Sequence, residues 1–448
     1  MHWFRRQTVS RRLRTPALVV LVGIWLPLVT ACTHLSPYHR RDQSAQVESV
    51  PNTAIDHRLL LVGDAGAPDP KGEPTLQLLA HVVSMLPERT TVVFLGDNAY
   101  ERGMPPPLEP GEATLDKVAD AADAVLPQVF DSRGEAERNV NAQIDVVRGN
   151  HARAIFIPGN HDWDQFEIGG WERILNLGTY LRDAAADGSA NVSLLPEGGC
   201  PGPVPVRLGS RAALLALDTQ WWLETRQDGK PTATNNPTHC PYTVETDVRD
   251  AIVSELEAAK KENRWAVVAG HHPLASNGPH GGFVDIATSL FPFRVLSNYV
   301  PFFIEFIPLP GLGSIVVGLR QCCSPSAQDM SNGRNRHMRN AILYSMIEAE
   351  KKHAAPLLYA AGHDHSLQLF ESKKGPRFTL VSGLGSSARA SAVSSGRSTL
   401  FAHSNSAQPG FMQIDFLKDG AVRLAVIERT VERPDGFEAY SAFLAKPR

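Results

Sequence analysis

Acidic, phenolic, amide and imidazole side chains recur in this sequence directly after short apolar segments. They lie in the segments GDAG at 63–66, GDNAY at 96–100, GNHD at 159–162, GHH at 270–272 and GHDH at 362–365. Hard metal ions prefer oxygen and imidazole ligands, and a hydrolytic site with two ions needs a carboxylate that can bridge them. The set therefore predicts a binuclear metal site, with the candidate ligands Asp64, Asp97, Tyr100, Asn160, His271, His363 and His365.

These side chains suit different places in such a site. Asp97 lies in the middle of the set and is the natural bridging ligand, whereas His363 and His365 can reach different ions because alternate residues at a strand end diverge. Tyr100 is the most informative ligand. A free tyrosine titrates near ~10, so a phenolate binds near neutral pH only where the ion is strongly Lewis acidic. Tyr100 therefore predicts a ferric ion on its side of the pair.

Five apolar segments must position these side chains, and they lie at 59–62, 92–95, 154–157, 265–268 and 357–360. Short apolar runs bounded by glycine are typical of buried strands. Side chains just beyond the C-terminal ends of strands lie where open α/β sheets bind ligands. We therefore predict an α/β fold that brings the five segments together at one site.

Residue spacing also predicts the elements around these strands. Helices are expected at 75–86, 115–130, 136–147, 243–263 and 328–349, and strands at 212–217, 377–382, 411–416 and 421–427. Thr246 or Asp247 is expected to cap the helix at 243–263. The Gly- and Pro-rich segment 178–211 is expected to be irregular.

The first 31 residues indicate an export signal. Five arginines precede an apolar stretch, 17–28, that is too short for a comfortable membrane span. The stretch is followed by Val29-Thr30-Ala31-Cys32, which resembles a bacterial lipobox. We therefore predict a signal peptide at 1–31 and lipidation of Cys32. An ordinary signal peptide and an uncleaved anchor are the alternatives.

A lipid-anchored protein of this kind belongs to the bacterial cell envelope. Residues 32–54 are polar and are predicted to tether the lipid to the domain. Thr33 stands where an aspartate commonly retains such proteins in the inner membrane, which favours the outer membrane, on the periplasmic or surface side. Export implies an oxidising compartment, in which Cys200 and Cys240 could pair. Adjacent cysteines such as Cys322 and Cys323 rarely pair with each other, and the sequence leaves the connectivity of the four cysteines undetermined.

The net charge of the chain indicates which classes of partner it can bind. The formal net charge is −3, and without the five arginines of the predicted signal peptide 39 basic residues face 47 acidic ones, which gives −8. A mildly acidic protein does not offer the broad basic face that nucleic-acid binding requires. No nucleic acid is therefore expected as a structural partner.

Residues 281–345 have the composition of an insertion, hydrophobic up to 320 and then basic. Prolines interrupt the hydrophobic part too often for a single membrane-spanning helix. The segment is expected to pack on the domain. The alternative is a hydrophobic lid or a surface that rests on the membrane, in addition to the lipid anchor.

The five motifs GDAG, GDNAY, GNHD, VAGH and GHDH, in this order, resemble those of the purple acid phosphatase branch of the calcineurin-like metallophosphoesterases. VAGHHPLAS and GHDHSLQLF are most similar to the tartrate-resistant type. The resemblance covers roughly 59–384. It implies a four-layer α/β/β/α metallophosphoesterase sandwich with insertions, which we expect at 55–430, followed by a C-terminal tail at 431–448.

The resemblance also implies a role for each motif residue. Asp64, Tyr100 and His365 would bind the ferric ion, Asp97 would bridge, and Asn160, His271 and His363 would bind a second ion, which is iron, zinc or manganese in this family. His161 matches a histidine that contacts phosphate, and His280 matches one that could protonate the leaving group. Trp163 follows GNHD and is expected to be a packing residue, with a place in the pocket wall as the alternative.

These expectations together describe a phosphomonoester hydrolase of the cell envelope, acting on a phosphorylated small molecule or a phosphoprotein. Water activated at the metal pair would attack phosphorus in line, with His161 or His280 assisting the leaving group. A phosphodiesterase or nucleotidase on the same site is the alternative within the enzymes. A lipoprotein that uses the fold only for binding is the alternative from another class.

Overall fold

The computed structural model describes residues 37–40, 47–107, 132–166, 169–224, 240–283 and 322–446. All of them belong to one compact unit, made of Thr33–Val284 together with Ile315–Arg448. Cys32, the predicted helix at 115–130 and most of the hydrophobic segment 281–320 lie outside the described residues.

One sheet has seven strands. In spatial order they are β15 (Phe437–Ala445), β14 (Val422–Glu428), β13 (Gly410–Leu417), β2 (Ile55–Val62), β3 (Thr90–Phe94), β4 (Arg153–Phe156) and β5 (Asn191–Leu194). Strands β2 to β5 are parallel, so their C-terminal ends meet at the same edge of the sheet. The three later strands add an antiparallel extension beside β2.

The second sheet has eight strands. In spatial order they are β1 (Tyr38–His39), β12 (Thr399–His403), β10 (Leu367–Glu371), β11 (Phe378–Ser382), β9 (Leu358–Ala361), β8 (Trp265–Ala269), β7 (Ala212–Ala216) and β6 (Val204–Leu208). Strands β7, β8, β9 and β11 are parallel. This sheet therefore also gathers several C-terminal strand ends at one edge.

The two sheets pack face to face, with helices on both outer sides. The helices are α1 (Pro74–Ser84), α2 (Arg133–Ile144), α3 (Gly170–Ala186), α4 (Gln220–Glu224), α5 (Glu245–Lys261) and α6 (Gly333–Lys351). Leu59 and Leu61 of β2 face the core between the sheets, and Leu60 and Val62 face the core under α1, α2 and α3. A third core lies between the eight-stranded sheet and α4, α5 and α6. The predicted four-layer sandwich is therefore confirmed.

Two parts of the fold differ from the sequence prediction. The segment 178–211 is not irregular, since it begins inside α3 and contains β5 and β6. Helix α3 forms because Ile174, Leu177 and Leu181 recur on one helical face and bury it against the sheet. Helix α5 begins at Glu245 after Val244, without a side-chain cap, so the expected cap at Thr246 or Asp247 was wrong.

The predicted segment boundaries also require correction. Strand β15 lies beyond the predicted end of the domain at 430, and it is part of the sheet because Tyr440 and Leu444 are buried in the core. Tyr38–His39, inside the predicted tether, pairs with β12. The end of the predicted insertion, up to 345, lies in α6, whose apolar side chains share a core with α5.

Two disulfide bonds occur among the described residues. Cys200 and Cys240 are joined, with their Cα atoms 5.4 Å apart. Cys322 and Cys323 are also joined, which is the pairing that the sequence made the rarer one.

No helix in the described ranges combines the length and the apolar composition needed to cross a membrane.

Candidate metal centre

The candidate ligands converge from the two sheets. Asp64, Asp97 and Asn160 follow β2, β3 and β4, and His271 and His363 follow β8 and β9. Backbone hydrogen bonds join the loops, for example from Asp64 N–H to the Gly96 carbonyl (3.0 Å). Gly159 allows the loops after β3 and β4 to approach each other closely, because a Cβ atom at position 159 would lie 2.2 Å from the backbone nitrogen of Asp97. The edges at which the parallel strands end therefore face each other across one site.

The first group of ligand atoms surrounds the Tyr100 hydroxyl. It lies 3.2 Å from Asp64 Oδ1, 3.0 Å from Asp97 Oδ2 and 3.1 Å from His365 Nε2. All four side chains are buried or nearly so. This is the set that the sequence predicted for the ferric ion.

The second group surrounds the side-chain oxygen of Asn160. His271 Nε2 lies 2.9 Å from this oxygen and His363 Nδ1 lies 3.0 Å from it, while the two nitrogens are 3.1 Å apart. Asp97 Oδ2, which belongs to the first group, is also 3.4 Å from His271 Nε2. Asp97 is thus the carboxylate placed between the two groups, as a bridging ligand requires.

Backbone carbonyls fix the orientation of three imidazoles. His271 Nδ1–H donates to Leu95 (2.8 Å), His363 Nε2–H to Gln328 (3.0 Å) and His365 Nδ1–H to Arg389 (2.8 Å). When the rings are neutral, these tautomers leave the other nitrogen of each ring unprotonated and pointing into the site. Lone pairs of imidazoles and carboxylates then face one another without protons between them, and a cation satisfies that arrangement.

Charges within the site shift the pKa values in the absence of a cation. Burial and the carboxylates of Asp97 and Asp64 raise the pKa of Tyr100 well above its usual value. Burial opposes protonation of His271, but the charge of Asp97 prevails and raises the pKa of His271 to about 9. A metal ion therefore has to displace a proton from His271, and it has to stabilise a phenolate that the protein alone disfavours.

His161 lies at the edge of the first group. Its backbone N–H donates to Asp97 Oδ1 (2.9 Å), and its ring lies 4.4 Å from the Tyr100 ring. The ring Nδ1 is 2.6 Å from the carbonyl oxygen of Glu101. The structure therefore brings His161 next to the predicted ferric site, with Nδ1 bonded to the backbone.

His280 lies at the edge of the second group. Its ring centre is 4.1 Å from that of His363, and its Nδ1 is 2.8 Å from Asp329 Oδ1. Its backbone N–H donates to Asp364 Oδ1 (3.0 Å). His280 therefore belongs to the site region. It lies within the irregular loop that follows β8.

Trp163 does not line the site. It is almost fully buried, and its indole N–H donates to Asp218 Oδ2 (2.9 Å), so the packing role is correct and the pocket-wall alternative is wrong. His272 is buried too, between Thr219 Oγ1 and Gln328 Oε1 at 2.8 Å each.

Sequence reasoning missed two residues of the site region. Asp329 contacts His280, and Arg389 lies over the Tyr100 ring with its guanidinium carbon 3.9 Å from the ring centre. Asp329 stands in a segment that the sequence placed within the insertion. Arg389 follows the segment GLGSSA and lies outside the five ligand motifs. No motif signals either residue.

The residues present fit a pair of metal ions. Asp64, Asp97 and His271 have ligand atoms within 4.8 Å of one another, as do His271, His272 and His363. Two carboxylates, an amide oxygen, a phenol and three imidazoles are a donor set for divalent and trivalent ions of the first transition row or zinc. The arrangement is consistent with a binuclear centre.

Comparisons with solved structures give low sequence identities. GAP50, the anchor in the inner membrane complex of Plasmodium, is 14% identical, with 88% of this chain and 89% of that chain covered and a TM-score of 0.48. A dimetal phosphatase from Danio rerio is 12% identical, with 87% and 99% covered and a TM-score of 0.35. PhoD is 12% identical, with 87% and 70% covered and a TM-score of 0.43. No curated protein matches the chain.

The comparison with protein families is decisive. The model of the family described as calcineurin-like phosphoesterase matches residues 28–299, which is more than half of the chain. The matched residues include the first four ligand segments, and GHDH follows at 362–365. Members of this family are metal-dependent hydrolases, in keeping with the paired ligand groups. The chain belongs to the calcineurin-like phosphoesterase family.

Proposed function

We propose that this protein is a phosphomonoester hydrolase of the purple acid phosphatase type, with a ferric ion and a divalent iron, zinc or manganese ion. One observation carries the proposal: the Tyr100 hydroxyl lies within 3.2 Å of Asp64, Asp97 and His365. A phenol among two carboxylates and an imidazole suits a strongly Lewis acidic ion. The remaining ligands, Asn160, His271 and His363, suit a divalent one.

The ions, when bound, supply Lewis acidity toward the phosphoryl oxygens and toward water. The protein supplies orientation. His161 is held by the Glu101 carbonyl at the edge of the first group, and in its protonated form it can donate its Nε2–H to a phosphoryl oxygen. Such a donor stabilises the charge that develops during in-line attack.

His280 has the geometry of a proton donor to the leaving group. If its Nδ1–H donates to Asp329, Nε2 remains for the substrate. A proton held at Nε2 would pass to the leaving oxygen as the bond to phosphorus breaks. His161 and His280 lie at opposite ligand groups, so they can contact different parts of one substrate.

A spectrum, a metal analysis and an assay on one sample test the proposal. The protein purified without its first 32 residues should show a purple tyrosinate-to-iron band, about two metals per chain and hydrolysis of phosphomonoesters on the acid side. A colourless protein with two divalent ions and activity on diesters would move the function to a phosphodiesterase or nucleotidase. A protein that stays metal-free and inactive after iron is supplied would contradict both.

We also propose that the enzyme is anchored in a bacterial envelope through a lipid on Cys32, with the outer membrane favoured. The sequence at 29–32 and the polar residues after it support the anchor. The bond between Cys200 and Cys240 supports an oxidising compartment. Cys32→Ser should move the protein from the detergent phase to the aqueous phase, with Cys200→Ser as control. Unchanged partitioning would contradict the anchor.

A further inference from the structure

Arg389 lies against the phenol ring of the predicted ferric site. Its guanidinium carbon is 3.9 Å from the centre of the Tyr100 ring. Its backbone carbonyl accepts the Nδ1–H of His365 (2.8 Å), so the same residue contacts two candidate ligands of one ion. The side chain is buried over about two thirds of its surface, being 30% exposed. Arg389 has no part in the chemistry described above.

Glu101 holds the guanidinium in this place. Its two carboxylate oxygens pair with both terminal nitrogens of Arg389. Glu101 follows Tyr100 directly in the chain, so the carboxylate that anchors Arg389 moves together with the ring. Its carbonyl oxygen in turn bonds His161. The guanidinium is thus fixed over the ring by an ion pair and is not free to turn into solvent.

A fixed cation changes the electronic properties of the ring beneath it. A guanidinium over an aromatic face attracts the π electrons, and the attraction is stronger when the ring carries the negative charge of a phenolate. Partial burial weakens the screening by water. The side chains that would hold an ion surround the Tyr100 hydroxyl, whereas the Arg389 guanidinium lies over the Tyr100 ring. Arg389 therefore stabilises electron density on the ring more than electron density on the metal.

We propose that Arg389 is a positioning residue that weakens electron donation from Tyr100 to the ion on its side, and so sets the absorption energy and the reduction potential of that ion. The inference rests on the proposed ferric–tyrosinate pair. Stabilised ring electrons require more energy to reach the metal, which places the absorption band at shorter wavelength. A ferric ion that receives less electron density is easier to reduce, which raises its potential.

Charge variants at two positions test the proposal with opposite signs. Arg389→Gln should move the band to longer wavelength, by on the order of 10 nm, and should lower the reduction potential. Arg389→Lys keeps the charge and should stay closer to the wild type. Glu101→Gln removes the opposing charge but keeps a side-chain oxygen that can accept a hydrogen bond from the guanidinium, so it should move both quantities in the other direction. The readouts are the visible spectrum and a potentiometric titration of iron-loaded protein.

Arg102→Gln is the matched control. Arg102 lies two residues after Tyr100, but its guanidinium pairs with Asp164 at 2.9 Å. Removing this charge should leave the band within the error of the measurement. A shift equal to that of Arg389→Gln would show that any lost positive charge has the same effect, and it would overturn the inference.

The remaining outcomes separate the two proposals. A purple wild type with an unchanged band and potential in Arg389→Gln would overturn the role of Arg389 and leave the phosphatase proposal intact. A wild type that binds iron without a tyrosinate band would overturn both. Metal content and thermal unfolding are measured for each variant. If Arg389→Gln does not fold, Glu101→Gln and Arg389→Lys still measure the effect of charge near the Tyr100 ring. An unchanged band and potential in Glu101→Gln would then overturn the inference.

Discussion

Three imidazoles of the centre each donate one N–H to a backbone carbonyl, at Leu95, Gln328 and Arg389. A carbonyl cannot change its protonation state, so it fixes the tautomer at every pH at which the ring is neutral. The three acceptors lie on three different segments of the chain. The orientation of the ligands therefore depends on the fold around the site as much as on the motifs themselves.

At Asp97 the loss of one side chain should affect both ions. Its Oδ2 lies 3.0 Å from the Tyr100 hydroxyl and 3.4 Å from His271 Nε2, between the two ligand groups. Asp97→Ala should lower the metal content below two per chain and phosphatase activity by on the order of 10³-fold or more. Metal analysis and kcat check this, with the exposed Asp145→Ala as control. Full metal content with full activity would contradict the site.

At Asp329 the change should depend on the leaving group. Asp329 Oδ1 lies 2.8 Å from His280 Nδ1 and orients the ring. Asp329→Asn should reduce kcat for an alkyl phosphate roughly tenfold more than kcat for p-nitrophenyl phosphate, because a nitrophenolate leaves without a proton. Asp419→Asn, in an exposed turn, is the control. Equal losses on both substrates would indicate a structural role only.

Among the structural elements, the loops after β3 and β4 are joined by one buried carboxylate. Asp162 accepts hydrogen bonds from the backbone N–H groups of Asn98 (2.9 Å), Ala99 (3.2 Å) and Gly159 (2.8 Å), and from the Asn98 side chain (2.8 Å). Both loops carry candidate ligands. The spacing between Asp97 and Asn160 therefore depends on Asp162.

Asp162→Asn should weaken this junction. An amide replaces one acceptor oxygen by a donor that faces other donors, so we expect a loss of about 2–3 kcal/mol in the free energy of unfolding. Metal affinity should fall as well. Urea unfolding and metal titration measure the two effects, and Asp187→Asn on the surface is the control. A variant as stable as the wild type would contradict the role of Asp162.

The sequence predicted those strands and helices whose residue pattern lies within one continuous segment. Strands β2, β3, β4, β8 and β9 are apolar runs ending in glycine or proline, and each motif followed its strand as expected. The sequence also predicted that the motifs lie close together, because parallel strands end at the same edge of a sheet. Helix α3 was missed because its apolar spacing overlaps a Gly- and Pro-rich segment.

Partners that come from distant segments were not predictable. Asp329 meets His280 across 49 residues of chain, and Arg389 meets Tyr100 only after the two sheets have packed. Neither residue has a neighbour in sequence that marks it. Strand β15, within the predicted tail, pairs with β14 at the edge of the seven-stranded sheet, where several of its side chains are partly exposed.

At the scale of the whole molecule, one buried histidine should make stability depend on pH. Burial, assisted by the charge of Arg153, lowers the pKa of His57 from 6.5 to about 4, and its Nε2 lies 2.9 Å from Thr91 Oγ1. Between these values the unfolded chain takes up a proton that the folded chain refuses. Stability from this residue is therefore present above pH 6.5 and is lost as the pH falls toward 4.

His57→Gln should reduce this loss. Glutamine can keep a hydrogen bond to Thr91 and does not titrate, so the wild type should lose about 3 kcal/mol more than the variant between pH 7 and pH 4. Urea unfolding at the two pH values measures the difference. His337→Gln, on the exposed face of α6, is the control. Equal losses in wild type and His57→Gln would contradict the assignment.

Each candidate ion site takes ligands from both sheets. Asp64 and Tyr100 come from the seven-stranded sheet and His365 from the other, and Asn160 meets His271 and His363 in the same way. With ions bound in both groups, parting the sheets at this edge would require their release. Amide hydrogen exchange in β3 and β9 should slow together when metal is added, by a factor that follows ligand concentration over Kd. Occupancy of the centre would then govern how long the sandwich stays closed, in addition to whether it reacts.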